Sequence, residues 1–436
     1  AETQNGKSFA VPEGTMGRYV RVYMAGSNKG TTNHIVELQV MGYHFSTEPK
    51  PYEANAFENA EVYLDMPTHF QDLDSNKNAN GTLKHIGGQV THPDIQVFDQ
   101  PWNGYKYWMI YTPNTMITSQ YENPYIVASE DGQTWVEPEG ISNPIEPEPP
   151  STRYHNCDAD LLYDSVNDRL LAYWNWADDG GGNDDDLKDQ NCQIRLRISY
   201  DGINWGVPYD KDGNIATTVD TVARMETGDT DFIPAISETD RYGMLSPTFT
   251  YDEFRGIYVM WAQNSGDGGY NQSGKFIDMR WSEDGINWSE PQKVKNFLGK
   301  DENGRQLWPW HQDIQYIPEL QEYWGLSQCF STSNPDGSVL YLTKSRDGIN
   351  WEQAGTQPVL RAGKSGTWDD FQIYRSTFYY DNQSDSPTGG KFRIWYSALQ
   401  ANTSGKTVMA PDGTISLKVG TDDTRIWRIG YTENDY

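Results

Sequence analysis

Cysteine is scarce in this chain: three residues among 436, at Cys157, Cys192 and Cys329. So small and odd a number excludes a disulfide framework as the source of stability. Cys157 and Cys192 fall in one sequence repeat and either pair or stand as separate buried thiols. Positive charge is also short, with 34 Lys and Arg against 62 Asp and Glu and a net charge of −28. A binder of nucleic acid or anionic membrane needs a basic face, so neither is expected as a partner. Long apolar runs are missing, since nothing approaches the roughly 18 residues that span a bilayer. Helical periodicity is missing as well over any stretch longer than about a dozen residues. The chain starts at Ala1 with neither Met nor an apolar signal core, as expected of a secreted or periplasmic/extracellular protein whose leader has been removed.

Aromatic residues are abundant, with 16 Trp and 28 Tyr, and some of them recur in register. Ser129-Glu-Asp-Gly-Gln-Thr-Trp135 returns as Ser199-Tyr-Asp-Gly-Ile-Asn-Trp205, as Ser282-Glu-Asp-Gly-Ile-Asn-Trp288 and as Ser345-Arg-Asp-Gly-Ile-Asn-Trp351. The aspartates at 131, 201, 284 and 347 are 70, 83 and 63 residues apart. A fixed turn closing units of that size is the signature of a repeat architecture. Asp bonds backbone two residues on, Gly takes the positive φ, and Trp anchors the following strand. Upstream of each turn lie two aromatic, β-branched strands, such as His92–Phe98 with Tyr105–Tyr111, and Asp158–Tyr163 with Leu170–Trp176. A fifth unit without the turn follows, with strands at Tyr374–Tyr380, Phe392–Tyr396 and Ile426–Tyr431.

The expected fold is all-β, a five-bladed β-propeller of four-stranded antiparallel blades spanning 46–436. A closed ring removes exposed sheet edges. The fifth blade lacks an outer strand, so an N-terminal segment is expected to complete it: Ala60–Asp65, Arg18–Met24 or His34–Gly42. Residues 1–45 form a separate N-terminal β segment, packed on the propeller or closing it. Its Arg18-Tyr-Val-Arg-Val-Tyr-Met24 and His34-Ile-Val-Glu-Leu-Gln-Val-Met-Gly42 resemble the last strands of a discoidin-type galactose-binding domain. The four repeated turns resemble the Asp boxes of sialidase-like propellers, which report fold and carry no catalysis.

In such a ring the starts of the innermost strands, and the loops between second and third strands, share one axial funnel. Those starts read Thr91-His92-Pro93-Asp94, Tyr154-His155-Asn156-Cys157-Asp158-Ala159-Asp160, Trp308-Pro309-Trp310-His311-Gln312-Asp313 and Tyr374-Arg375. Three of the seven histidines and four carboxylates thus occupy equivalent blade positions. Such a crowd of acids suits general acid/base chemistry on a sugar, with pKa values driven apart by the surroundings. Asp94, Asp160 and Asp313 are the candidate catalytic carboxylates, and His311, His155 and Glu122 the candidate proton donors. His92, Asp158, Tyr154, Tyr121, Trp308, Trp310 and Arg375 are candidates for substrate binding. No cofactor is required by this reading. The acidic loop with Asp184, Asp185 and Asp186 is a candidate structural Ca²⁺ site, because flexible carboxylate-rich loops can wrap that ion. His92, His155 and His311 are alternative ligands for a divalent cation in the axial channel.

Residues 85–436 resemble the five-bladed glycoside hydrolases of the arabinanase, xylosidase and invertase type. The resemblance implies Asp94 as general base and a second Asp, Asp160 or alternatively Asp158, as the residue that tunes pKa and orients the substrate. It implies a Glu as general acid in blade three, where this chain has Leu245-Ser246-Pro247 instead. The expected function is therefore hydrolysis of glycosidic bonds by an exo-acting, monomeric, secreted enzyme with a carbohydrate substrate. A polysaccharide lyase using His155, Tyr154 and Arg375, and a non-catalytic lectin, are the alternatives.

Overall fold

The computed structural model describes residues 54–82, 89–114, 119–178, 192–238, 244–264, 275–331, 338–382, 389–401, 407–409, 415–417 and 426–436. All lie in the second of the two units into which the chain divides, Thr47–Tyr436. The discoidin-like strands, the acidic loop with Asp184–Asp186, and Arg18–Met24 and His34–Gly42 as ring-closing candidates fall outside the described residues.

Five antiparallel sheets follow one another around a ring, which is the expected five-bladed propeller. Blade one comprises Val90–Trp102, Tyr105–Pro113 and Tyr125–Ser129, with a single bridge from Ala128 to Val136 as its rudimentary fourth strand. Blade two comprises Tyr154–Asp164, Arg169–Asp178, Cys192–Ser199 and Ile233–Glu238. Blade three runs through Leu245–Asp252, Ile257–Asn264, Phe276–Ser282 and Gln292–Lys293. Blade four runs through Leu307–Ile317, Glu322–Ser331, Val339–Ser345 and Trp351–Gln353. Blade five has Gln372–Asp381, Lys391–Gln400 and Ile426–Asp435.

The missing outer strand of blade five comes from the N-terminal side, as expected for Ala60–Asp65. Tyr63 bridges Gly430 and the Leu64 N–H donates to the Ile429 carbonyl at 2.8 Å. The same segment reaches blade four, where the Phe57 N–H donates to the Val359 carbonyl at 2.7 Å.

Middle strands are covered on both faces by neighbouring blades, which explains their near-continuous apolar and aromatic sequence. The second strand of each blade contributes one fully buried tryptophan: Trp108, Trp174, Trp261, Trp324 and Trp395. Five hydrophobic clusters result, one at each blade interface. The repeated turns lock these interfaces. Asp201 accepts from the backbone N–H groups of Ile203 and Asn204 at 2.8 Å each, as the turn chemistry requires. Each turn's glycine then meets an aromatic ring of the preceding blade. The Trp261 indole donates to the Gly348 carbonyl at 2.9 Å, Trp395 to Gly132 at 2.7 Å, and the Tyr173 hydroxyl to Gly285 at 2.8 Å. At Gly202, φ is +75° and a Cβ would meet Trp108 at 2.2 Å, so only glycine fits.

All three cysteines are free thiols. Cys157 and Cys192 lie on the first and third strands of blade two, with the second strand between them. Two strand spacings of about 4.8 Å exceed the reach of a disulfide.

Candidate active site

Every blade's first strand carries a register shift near its start: between Thr91 and Asp94, Cys157 and Asp160, Leu245 and Thr248, Pro309 and His311, and Ile373 and Ser376. In three blades the shift holds a non-glycine residue at positive φ, namely His92 (53°), Asp158 (49°) and Ser246 (46°). Such a backbone is costly for an L residue, about 1–3 kcal/mol, and collects where geometry serves a site. The bulges divide the axis into two layers of side chains.

The lower layer pins blade to blade. The Leu161 N–H donates to Asp94 Oδ2 at 2.6 Å, Phe249 to Asp160 Oδ1 at 3.1 Å, Ile314 to Thr248 Oγ1 at 3.0 Å and Phe378 to Asp313 Oδ2 at 3.0 Å. Thr377 takes the corresponding place in blade five. Its single hydroxyl lies 2.8 Å from Asp313 Oδ2 and 3.2 Å from Asp94 Oδ1. One hydrogen cannot serve both acceptors at once, and protonation of one carboxyl would relieve the conflict. Asp94 fits that part: burial and the neighbouring Asp313 push it to about 8. Burial also raises Asp313 to about 6 and, with Asp94, lifts Asp160. Arg375, fully buried, donates from Nη2 to Asp160 Oδ2 at 2.9 Å and to the Pro247 carbonyl at 3.1 Å. This corrects the expected roles of Asp94, Asp160 and Asp313. All three are sealed between blades with their oxygens turned onto backbone, Thr377, Gln315 or Arg375, not toward a substrate. Arg375 differs from the expectation as well, because its buried guanidinium is anchored through Nη2 to Asp160 and the Pro247 carbonyl.

The upper layer comprises His92, Asp158, Ser246, His311 and Tyr374, one residue from each blade. His92, Asp158 and His311 offer ligand atoms that lie within 4.8 Å of one another, all buried. Asp158 is the centre. Its Oδ1 lies 3.4 Å from His92 Nε2 and 3.6 Å from His311 Nδ1, while Oδ2 accepts from the Ser246 hydroxyl at 3.0 Å. Ser246 Oγ also bonds His311 Nδ1. The proton order is then fixed: His311 Nδ1–H donates to Ser246, whose O–H donates to Asp158, and His311 Nε2 is left with a lone pair. His92 Nδ1 lies 2.9 Å from Thr112 Oγ1, which likewise leaves Nε2 to face inward. Neither Nε2 has a hydrogen-bond partner. Burial drives His92 down to about 4 and His311 well below the ordinary imidazole value, so both rings are neutral near pH 7. Burial would raise Asp158, but the two histidines, Arg375 and Ser246 outweigh it and hold the carboxyl at about 2. A bare His92 Nε2 facing an ionised carboxylate, with the neutral His311 ring beside them, fits a divalent cation. The arrangement does not fit a serine nucleophile, because Ser246 and Asp158 address the same ring nitrogen of His311, and no acid orients the other.

Around this trio stand aromatic walls. The Tyr374 ring lies 4.3 Å from His311 and 5.2 Å from His92, centroid to centroid, and Trp427 lies 5.0 Å behind it. Trp310 is edge-on to His311 and carries the Lys275 ammonium 3.6 Å above its ring. Burial lowers Lys275 to about 7. Tyr154 stacks on Trp176 at 5.2 Å, with Arg153 over its other side.

Sequence reasoning found His92, His311, Asp158 and Trp310, but gave Asp158 only a binding or pKa-tuning role. His155 is buried on the same strand yet falls outside the trio. Tyr121, Glu122 and Trp308 are half-buried and none is among the three ligands. Ser246, Tyr374, Thr112 and Lys275 were missed. Ser246 was legible in principle, because Ser246-Pro247 aligns with His92-Pro93 and Asp158-Ala159.

No protein-family model matches the chain. A crystal structure of an N-acetylgalactosamine deacetylase from F. plautii, in complex with blood group B trisaccharide, is 53% identical, with a TM-score of 0.75. That match covers 88% of this chain and 96% of the other. The curated A type blood N-acetyl-alpha-D-galactosamine deacetylase of Flavonifractor plautii is 54% identical over 387 residues. The chain spans about half the length of that relative, 48%, while 88% of its own length is matched. A thermostable family-43 glycoside hydrolase is 11% identical, with a TM-score of 0.44 over 78% of this chain and 88% of its own, too distant to bear on the site. A deacetylase cuts the amide of an N-acetyl sugar and leaves the glycosidic bond whole, so the expectation of a glycosidase does not stand. Nor do the lyase and lectin alternatives. With more than half of the aligned residues identical to that solved enzyme and nearly all of the solved chain covered, the protein belongs to the family of the F. plautii N-acetylgalactosamine deacetylase.

Proposed function

We propose that this protein hydrolyses the acetamide of an N-acetylgalactosamine residue in a glycan, releasing acetate and leaving an amino sugar. The observation that carries the reading is the buried trio of His92, Asp158 and His311 at the axial mouth, in a chain so similar to a deacetylase. We take His92 Nε2, His311 and Asp158 as the holders of a divalent cation. Bound there, such an ion polarises a carbonyl oxygen and lowers the pKa of water.

The chain's own residues do the rest. Thr112 fixes the tautomer and angle of His92, and Ser246 does so for His311 while holding Asp158. Tyr374 and Trp427 form an apolar wall that restricts water and suits the acetyl methyl and a sugar face. Water adds to the acetamide carbon and gives up a proton, the C–N bond breaks, and the departing nitrogen takes a proton in return. Lys275 Nζ is placed to give it, since an ammonium with a pKa of about 7 releases a proton readily at neutral pH. Net, one water is consumed, acetate leaves, and the sugar keeps its amine.

The test is acetate release from a trisaccharide ending in α-linked N-acetylgalactosamine, before and after dialysis against a chelator, with metal content measured alongside. Expected are loss on chelation, return on adding a divalent cation, and no new reducing ends. Full activity in protein shown to be metal-free would overturn the cation, and release of free N-acetylgalactosamine would overturn the deacetylase reading.

A further inference from the structure

A second cleft, of about 700 Å³, opens between blades two and three. It is lined by the turn after Asp164, by Gly256 and by the Asp284 turn, all of which connect first to second or third to fourth strands. Those connections lie on the face opposite the starts of the first strands, so the cleft is remote from the His92 trio. One wall is an insertion peculiar to blade two. Third and fourth strands are joined there by the residues from Ser199 to Ile233, including the hairpin Val207–Tyr209 with Arg224–Glu226. Blades three and four need only Ser282 to Gln292 and Ser345 to Trp351. The cleft is thus no by-product of the repeat.

Its chemistry is specific. The floor is Arg169, whose Nε donates to Asp164 at 2.7 Å in a buried ion pair. Half-buried Tyr251, its ring tilted 50° against buried Tyr258 with centroids 4.9 Å apart, gives an aromatic wall, and Tyr209 lines the hairpin side with Arg224 over its ring. Asn167 and Asn287 spend their amide N–H groups on Asp164 and Asp284 and keep their side-chain carbonyl oxygens free to accept. Glu283 adds an unpaired carboxylate at the rim. Aromatic faces for C–H surfaces, with acceptors spaced for hydroxyl groups, make a mixed lining of the kind that binds sugars. The volume lies in the ordinary range for small-ligand pockets, about 300–1,000 Å³. Acidic groups at the rim disfavour uronates and sialates.

We propose that this cleft is a non-catalytic binding site for a neutral hexosyl residue of a glycan. Occupied by a neighbouring branch, it holds the protein on a multivalent surface while the axial site works, which raises the effective concentration of substrate. The inference rests on the glycan reading only for the choice of probe.

The probe is blood group B trisaccharide, titrated into the full chain by calorimetry and by ligand-observed NMR. Two binding events are expected. Ile215→Trp, which fills the cleft, should weaken one of them about tenfold or more, a loss of about 1.4 kcal/mol. It should leave release of acetate from a soluble trisaccharide unchanged and slow release from a glycoprotein-coated surface. Tyr251→Ala, which removes the aromatic wall, should do the same and guards against misfolding of the tryptophan variant. Saturation at one equivalent in the unmodified protein, or two events surviving both substitutions, would overturn the proposal. The calorimetric and NMR readouts are binding, so they stand even if the protein proves inactive as a deacetylase.

Discussion

The two axial layers are built from the same strands, a residue or two apart, yet they do opposite things. Below, the carboxylates spend their oxygens on other blades, Asp94 on Leu161, Asp160 on Phe249 and Arg375, Asp313 on Phe378, and of these groups only Nε and Nη1 of Arg375 are left without a hydrogen-bond partner. Above, the groups point at one another and leave two imidazole nitrogens unpartnered. Buried polar atoms are normally satisfied, and an exception calls for a ligand or a mechanism. Carboxylates at equivalent blade positions are therefore not equivalent in role. What separates them is whether the neighbouring blade has already used their oxygens.

Substitution can break this contrast outright. Asp158→Ala in the upper layer should lower acetate release by about a thousandfold or more, beyond the 10–100-fold typical of outer partners of a metal ligand. Its urea midpoint should also fall, since a carboxyl held at about 2 favours the folded state at neutral pH, but loss of activity should dominate. Asp160→Leu in the lower layer should show the reverse emphasis. It strands the Arg375 guanidinium without its carboxylate, which costs about 3–5 kcal/mol, read from urea unfolding. If Asp160→Leu folds normally but is inactive, the two layers have been assigned the wrong way round.

A finer test keeps the trio and removes one support. Thr112→Val deletes the hydroxyl that orients His92 while preserving shape. Metal affinity should fall about 10–100-fold with little change in unfolding. The smallest effect concerns Lys275 at the edge of the upper layer. Its folded pKa, lowered to about 7 by burial, lies below the ordinary 10.5. Between those values the unfolded chain holds a proton that the folded one has released, so stability rises as pH rises from about 7 to about 10.5. Lys275→Met should flatten that stretch of the stability profile, measured by denaturant midpoints across the range. An unchanged slope would mean that the ammonium is well solvated.

The ring was largely legible. Four copies of one turn set the blade boundaries, and the fifth blade's missing strand pointed to an N-terminal segment, with Ala60–Asp65 one of three candidates. The site was half legible. His92 and His311 stood out because histidine is rare here and both open first strands. What misled was the alternation His-x-Asp, in which the second residue looked as free as the first. The bulge and the positive φ at His92, Asp158 and Ser246 decide which residue turns to the mouth and which to the next blade. No side-chain preference announces that backbone state at His, Asp and Ser together. The chemistry was not legible from the fold, because a scaffold hosts several reactions and only the site discriminates among them. Counting carboxylates suggested glycoside cleavage, whereas pairing them with their donors removes three from consideration.

Closure between the 54–65 segment and Ile426–Asp435 has a consequence for how the molecule is made. The ring stays a gapped arc, with a free edge at each end, until Ile426–Asp435 is available to meet the 54–65 segment. Contacts of such wide sequence separation form slowly, and open edges invite pairing between chains in the meantime. Chains ending before Ile426 should therefore accumulate as aggregates rather than as smaller propellers.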